Sequence, residues 1–160
     1  VLWSDHGYFL GEHGFWCKHS TFHEAAKIPF IISSPDYVKN KTTDSFTELV
    51  DLYPTLCEIA QITPPKYLHG KSLTPVLKDP TMSLKDEIYT RYKEGEAVVD
   101  KNYSYTEFYR GEKYLGNMLY DMNKDVKQNI DISKLSTNKD LVKKYSEKLK
   151  TMRDFVNKDY

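Results

Sequence analysis

Cysteine, net charge and long apolar stretches are all scarce or absent in this sequence. The 160 residues include only Cys17 and Cys57, too few for a disulfide framework and without the Cys-x-x-Cys spacing of a zinc site. Lys+Arg and Asp+Glu both number 23, so the zero net charge favours neither nucleic acid nor an acidic membrane surface as a general partner. The longest apolar run, residues 28–32, contains a proline and is far too short to span a bilayer.

What is present is the composition of a globular protein. Apolar residues make up 39% and charged residues 29%, and the length suffices for a real core. We expect both cysteines to be buried, Cys57 within an apolar helical pattern and Cys17 as an inert thiol. The opening Val1-Leu2-Trp3 is typical of the end of a buried strand. Because no partner for it lies nearby, we expect the chain to be a fragment of a longer protein.

The first half of the chain alternates strand, loop and helix signals. Residues 7–24 are rich in glycine, histidine and aromatics without a clean period, which is typical of a long ordered loop with a function. The continuous apolar residues of 27–33 predict a second buried strand, covered on both faces. Residues 46–60 have helical spacing, at least from Val50 onward. A turn at 69–73 and a short apolar patch follow.

The second half changes character. Residues 86–122 alternate aromatic residues with turn residues, which predicts three or four short antiparallel strands joined by hairpins. Residues 138–158 have helical spacing, with Asn138 as the cap. The fold class is therefore α/β at the front and α+β at the back. We expect residues 1–80 to belong to an α/β domain and residues 81–160 to form a C-terminal subdomain.

The densest chemistry lies between residues 4 and 29. Asp5 and His6 follow a strand and could aim a carboxylate oxygen and an imidazole nitrogen at one cation, with Gly7 allowing a sharp turn after them. Lys18 on the same loop could reach an anion held by that cation. Spacing alone does not decide, because an Asp-His pair is as typical of a loop cap beside a hydrogen-bonded histidine. A single lysine is more often a solvated surface charge.

The complete set of motif residues between 4 and 29 is more specific for a protein family than the Asp-His pair or the lysine alone. It resembles the C-terminal metal-site motif of the formylglycine-dependent sulfatases of the alkaline phosphatase superfamily, most like the iduronate-2-sulfatase branch. The residues that carry this resemblance are Ser4-Asp5-His6-Gly7, Gly11-Glu12-His13-Gly14, Trp16-Cys17-Lys18, Glu24 and Ile28-Pro29. Further similarity follows in order at residues 50–56, 69–73, 103–107 and 119–121, with Asp125 and then Gln128-Asn129.

The resemblance implies a fold and a site. The fold is the C-terminal part of an alkaline-phosphatase-like sandwich, followed by a small antiparallel sheet with a C-terminal helix. Asp5 and His6 are expected to ligate a divalent cation, usually Ca²⁺ in this family. Lys18 is expected to contact the sulfate group and its leaving oxygen, and His13 is the further candidate for substrate binding. His6 contacting the sulfate instead stays an alternative, because many relatives have Asn there.

The resemblance also implies what lies elsewhere. In the family the nucleophile is a formylglycine made from the cysteine of a Cys-x-Pro-x-Arg motif, which this chain lacks. Cys17 is followed by Lys18-His19-Ser20 and is not that precursor. We therefore expect the N-terminal part of the same protein to supply the nucleophile and the other cation ligands. The family is commonly periplasmic, secreted or lysosomal, which leaves the location of this protein open.

The predicted function is that of a sulfuric ester hydrolase acting on sulfated sugars, with this chain inactive on its own. One alternative is a phosphonate monoester hydrolase or phosphodiesterase of the same superfamily. Another is a non-catalytic module that binds a ligand through exposed tyrosines of the C-terminal sheet. The role of Trp16 stays open, because it could stack on a sugar or pack in the core. Glu24 is expected to anchor the loop by hydrogen bonds and not to react.

Overall fold

Short strands and turns dominate the first thirty residues in the computed structural model, which describes residues 1–158. Strand β1 (Leu2–Trp3) is followed by β2 (Phe9–Leu10) and β3 (Trp16–Cys17), then by helix α1 (His23–Ala26) and β4 (Phe30–Ile31). β2 pairs antiparallel with β3, and β1 pairs antiparallel with β4. The predicted loop between the two strands therefore contains a hairpin and one helical turn that periodicity does not reveal.

β1 and β4 differ from the prediction in their surroundings. Both were expected to be buried, yet Leu2, Trp3 and Ile31 are exposed. No layer formed by residues 1–158 covers these side chains, and their burial in the whole protein stays a prediction. Their residue types match the apolar pattern of a buried strand, but their solvent exposure does not.

Helix α2 (Leu52–Ile59) confirms the predicted helical segment, and a 3-10 turn leads into it. Asp51, at its start, is completely buried. Its carboxylate accepts hydrogen bonds from the backbone N–H of Glu48 at 2.9 Å and of Lys71 at 2.8 Å. Lys85 Nζ lies 2.8 Å from the same carboxylate, so the buried charge is paired. The apolar patch after the predicted turn is helix α3 (Thr74–Lys78).

The C-terminal half contains the predicted sheet. Four antiparallel strands lie in sequence order: β5 (Glu87–Tyr92), β6 (Gly95–Asp100), β7 (Tyr103–Arg110) and β8 (Lys113–Asp121). Helix α4 (Lys139–Val156) follows and confirms the predicted C-terminal helix. Both elements form because their apolar residues repeat with the period of a strand or a helix and so gather on one face.

Helix α4 and the sheet share one core. It consists of Val98, Tyr105, Leu119, Tyr145 and Leu149, all essentially inaccessible to solvent. Burying such aromatic and aliphatic side chains is the main favourable contribution to folding.

Asn138 flanks α4 without capping it. Its side-chain amide donates to the carbonyl of Ile132 at 3.0 Å, so the helix has no side-chain cap. The predicted start of the helix is right within one residue, but the predicted role of Asn138 is wrong. Its amide instead bonds to the segment that precedes the helix.

Most tyrosines of the sheet are buried or half-buried. Among those in β5–β8 of the described residues, only Tyr114 is exposed, while Tyr105 and Tyr120 are buried. The alternative of a non-catalytic module needed exposed, clustered tyrosines. That alternative therefore loses the feature that would have supported it.

The described residues group into two compact units. Residues 1–3 and 30–88 form one, and residues 4–29 and 89–158 form the other. The predicted division into 1–80 and 81–160 concerns the domains of the whole protein and stays a prediction. None of the helices formed by residues 1–158 is long and apolar enough to cross a membrane.

Candidate cation and sulfate site

Residues 4–29, here called the motif loop, reverse direction in the β2–β3 hairpin. Phe9 pairs with Cys17 and Leu10 with Trp16. The hairpin end contains three residues in the left-handed region, Gly11 at φ 122°, His13 at 54° and Gly14 at 72°. Glycine adopts such angles at little cost, which explains the Gly-x-x-Gly spacing.

The hairpin also places Lys18. Because Cys17 is paired with Phe9, Lys18 leaves the hairpin at the end where His6 and Gly7 enter it. Tyr8 is the residue between Gly7 and β2, and two residues of extended chain span roughly 7 Å. The three candidate residues thus share one end of the hairpin, although Lys18 follows Asp5 by 13 positions and His6 by 12.

Asp5 and His6 are adjacent in space as well as in sequence. Asp5 Oδ2 lies 3.5 Å from His6 Nε2, and the Asp5 side chain is 79% exposed. His6 Nδ1 donates to the carbonyl of Gly7 at 2.5 Å, which leaves Nε2 with its lone pair available. Two ligands that bind one calcium ion at right angles, each about 2.4 Å from it, are roughly 3.4 Å apart.

The pair fits part of a cation site. Carboxylate oxygen is a preferred calcium ligand, and the spacing suits two neighbouring coordination positions. Across residues 1–158, however, no three His, Cys, Asp or Glu side chains gather into a group that could hold a metal ion. A complete calcium site takes about six to eight oxygen ligands. The described residues therefore supply at most a portion of such a site.

Gly7 is required by close packing. Its N–H donates to the carbonyl of Ala25 at 2.8 Å, which joins the start of the motif loop to α1. A Cβ at position 7 would lie 2.0 Å from the carbonyl oxygen of Glu24. Gly7 does not adopt a left-handed φ, so the predicted reason for this glycine, a sharp turn, is wrong.

Lys18 is exposed, and no carboxylate among residues 1–158 pairs with it. Its neighbour Trp16 is 67% exposed, so core packing of this residue is excluded for the described chain. Cys17 is exposed too, with φ at 72°. Within residues 1–158 the prediction of a buried Cys17 is wrong, whereas Cys57 is buried as predicted.

His13 lies inside the motif loop. Its side chain is only 13% exposed, and Nε2 lies 3.7 Å from Glu24 Oε2. The ring stacks on Phe22 with centroids 4.4 Å apart and meets Phe9 edge-on. Contact between His13 and the substrate stays a prediction, and this packing supports a structural role in the loop. Glu24 Oε2 is buried and has no hydrogen-bond partner among residues 1–158, so its predicted anchoring of the loop by hydrogen bonds stays a prediction.

Residues far along the chain also hold the motif loop. The backbone N–H of His23 donates to Gln128 Oε1 at 2.7 Å, and Thr21 Oγ1 lies 3.3 Å from Thr106 Oγ1. Burial, followed by the charge of Lys27, lowers the pKa of the His23 imidazole below its ordinary value. Sequence reasoning assigned none of these a role. The one available signal was Gln128-Asn129 after Asp125 in the family pattern.

A cleft with a volume of about 950 Å³ lies in the unit formed by residues 1–3 and 30–88. Val50, Tyr53 and residues 66–70 line it. No motif-loop residue is among the residues that line it.

The profile of the family described as "N-sulphoglucosamine sulphohydrolase, C-terminal" matches residues 11–155. The chain belongs to this sulfatase family. The match confirms the resemblance to the C-terminal portion of an alkaline-phosphatase-superfamily sulfatase. Assignment to the iduronate-2-sulfatase branch stays a prediction.

Individual relatives agree with the family. A protein named "Sulfatase" from Formosa agariphila is 36% identical over 120 residues, which cover 73% of this chain and 24% of that protein. A structure solved in complex with its substrate D-glucosamine-2-N,6-O-disulfate matches 95% of this chain and 33% of its own, with a TM-score of 0.86 and 25% identity. The chain spans about a quarter of the length of two curated relatives that it matches in sequence.

A third match shows the fold alone. The phosphonate monoester hydrolase from Silicibacter pomeroyi has a TM-score of 0.87 and 20% identity, covering 99% of this chain and 35% of its own. The alkaline-phosphatase-like fold class is thus confirmed. The same fold is shared with enzymes named for a different ester.

Proposed function

We propose that the whole protein hydrolyses sulfate esters of sulfated sugars and that this chain carries part of its active site. In this proposal Asp5 and His6 hold a divalent cation, calcium, and Lys18 contacts the sulfate. Membership in the sulfatase family supports the reaction class. Because the chain spans about a quarter of its sequence relatives, the activity is proposed for the whole protein and not for these 160 residues.

The observation that carries the proposal is the hairpin register. It brings Lys18 to the end of the hairpin from which Asp5 and His6 extend. A bound calcium ion would supply positive charge that orients the sulfate and stabilises negative charge on its oxygens. The exposed ammonium of Lys18 is free to donate to the leaving oxygen, where negative charge develops as the ester bond breaks. The Asp5 side chain is exposed as well, so within residues 1–158 neither group is covered.

The nucleophile and the remaining cation ligands belong to the proposal as well. We propose that a formylglycine and further carboxylates come from the N-terminal part of the same protein. The support is chemical, since two adjacent side chains leave most of the coordination sphere of calcium unfilled. The N-terminal part is then an obligatory partner of this chain.

The substrate class rests on two observations. One related structure was solved with a disulfated glucosamine as its substrate. In this chain Trp16, two residues before Lys18, is exposed, and its ring is of the kind that can pack against a sugar. We therefore propose a sulfated carbohydrate, with Trp16 contacting the sugar.

A phosphonate ester is the second candidate. The fold match to a phosphonate monoester hydrolase favours it, because sulfate and phosphonate groups are both tetrahedral anions that a cation and a lysine can bind. The sulfatase family match favours the sulfate ester. The two candidates differ in the activity that they predict for the whole protein.

The experiment compares esters with the full-length protein. Release of sulfate from glucosamine 6-O-sulfate and hydrolysis of a phenylphosphonate monoester are measured under identical conditions, with and without a calcium chelator. We expect sulfate release to dominate and to fall when calcium is removed. Preferred hydrolysis of the phosphonate would support the second candidate. Sulfate release that is unchanged by the chelator would contradict the cation role of Asp5 and His6.

A further inference from the structure

We propose that Gln128 is a positioning residue that fixes the cation ligands Asp5 and His6 through helix α1. The proposal rests on the proposed function, because it assigns Gln128 a role toward the cation of that site. It adds a residue more than 120 positions away from the two ligands.

Gln128 links two parts of the C-terminal unit through its side-chain amide. The side chain is almost fully buried, at 3% exposure. Oε1 accepts the backbone N–H of His23 at 2.7 Å, and Nε2 donates to Ser104 Oγ at 2.8 Å. Gln128 thus joins the start of α1 to strand β7, which contains Ser104.

Helix α1 depends on this contact because it is short and uncapped. It contains four residues, and Phe22 at its N-cap position provides no side-chain acceptor. A helix of one turn is unstable by itself, and its first N–H groups have no partner within the helix. Gln128 satisfies one of them from 105 residues away. It thus performs the task of an N-cap residue from another part of the chain.

The segment that carries Gln128 is itself ordered by hydrogen bonds. Asp125 Oδ2 accepts the N–H of Ile130 at 2.7 Å, and the N–H of Gln128 donates to the carbonyl of Asp125 at 2.9 Å. Burial opposes ionisation of Asp125, but the hydrogen bonds from Asn129 and Ile130 outweigh it and lower its pKa. Gln128 adopts a left-handed φ of 55°, which is uncommon for this residue type. The surrounding contacts hold it there.

The path from α1 to the ligands is short. The carbonyl of Ala25 accepts the N–H of Gly7 at 2.8 Å, and Gly7 lies so close to α1 that a Cβ would not fit. Asp5 and His6 directly precede Gly7. A displacement of α1 therefore moves the backbone that carries both ligands.

Three variants of the full-length protein separate the side-chain contacts from the backbone. Gln128→Asn keeps the amide and tolerates the left-handed φ, but it is one methylene too short to reach both partners. Gln128→Glu keeps the length and the acceptor for His23 N–H, and Ser104 Oγ can donate in place of accepting. Tyr145→Phe is the control, since it removes the 2.6 Å hydrogen bond to Asp100 in the same unit without touching α1.

Two measurements are made on each variant: calcium affinity by titration calorimetry and hydrogen exchange at the Gly7 amide. We expect Gln128→Asn to weaken calcium binding by about 10- to 100-fold, as for residues that orient metal ligands, and to speed exchange at Gly7. Gln128→Glu should keep the calcium affinity and the exchange rate at Gly7 close to the wild-type values. Tyr145→Phe should lower the melting temperature and leave these two quantities unchanged.

The outcomes are distinguishable. If the wild-type protein binds calcium and Gln128→Asn binds it equally well with unchanged exchange at Gly7, Gln128 is purely structural and the inference is overturned. If the wild-type protein binds no calcium, the cation part of the proposed function fails, and a cation role for Gln128 fails with it. Exchange at Gly7 then still reports whether Gln128 holds α1 against the motif loop.

Discussion

Replacing Gly7 by alanine perturbs the candidate site through a single methyl group. The new Cβ would lie 2.0 Å from the Glu24 carbonyl oxygen, whereas ordinary carbon–oxygen contacts are about 3.3 Å or longer. The motif loop and α1 must therefore separate by roughly 1.3 Å. A displacement of about 1 Å in a reacting group can cost roughly 100-fold in rate. We expect the Gly7→Ala full-length protein to lose sulfatase kcat by about this factor.

Gly70→Ala is the matched control. A Cβ there would lie 1.9 Å from the Val50 carbonyl oxygen, an equally severe overlap in the other unit. Both variants should melt at lower temperature, but only Gly7→Ala should also weaken calcium binding. The measurements are kcat, calcium affinity and melting temperature on the folded proteins. A Gly7→Ala protein with wild-type kcat and calcium affinity would refute the link between α1 and the ligand pair.

Three further predictions concern stability and the isolated chain. The pKa of His23 is lowered in the folded state, so the unfolded state takes up the proton first as the pH falls below 6.5. The melting temperature should therefore drop below that pH, and it should drop less steeply in His23→Gln. Equal slopes of melting temperature against pH in the two proteins would contradict this. Leu149→Ala, in the core of α4, should cost about 2–5 kcal/mol in urea denaturation, whereas its exposed neighbour Lys150→Ala should change little. The pure 160-residue chain should show no sulfate ester turnover, because it contains only two of the proposed cation ligands and no Cys-x-Pro-x-Arg motif; measurable hydrolysis would disprove that expectation.

Elements with a long, regular pattern were predictable from the sequence. The aromatic alternation in β5–β8 and the helical spacing of α4 each repeat over enough residues to identify the element and the face that it buries. The Asp-His-Gly string and Lys18 were recognisable because residue types and spacing together match a family motif. Family membership confirms the resemblance, and the roles of these residues stay a prediction.

The features that were missed depend on contacts distant in sequence. Helix α1 has four residues and takes its N-terminal partner from Gln128, so no local pattern could reveal it. The β2–β3 hairpin consists of two-residue strands whose turn relies on left-handed angles at Gly11, His13 and Gly14. The reason for Gly7 was also invisible, since close packing against Glu24 appears only in three dimensions.

The most direct test of the central claim, that Lys18 acts on a sulfate ester beside the Asp5–His6 pair, is the kcat of the full-length Lys18→Ala protein. Its control is Lys113→Ala, which removes an equally exposed lysine from β8. Losing a donor that stabilises developing charge raises the barrier by about 2.7–4 kcal/mol. The account predicts that Lys18→Ala lowers kcat by about 100- to 1,000-fold while Lys113→Ala leaves it unchanged. An unchanged kcat in folded Lys18→Ala protein would contradict it.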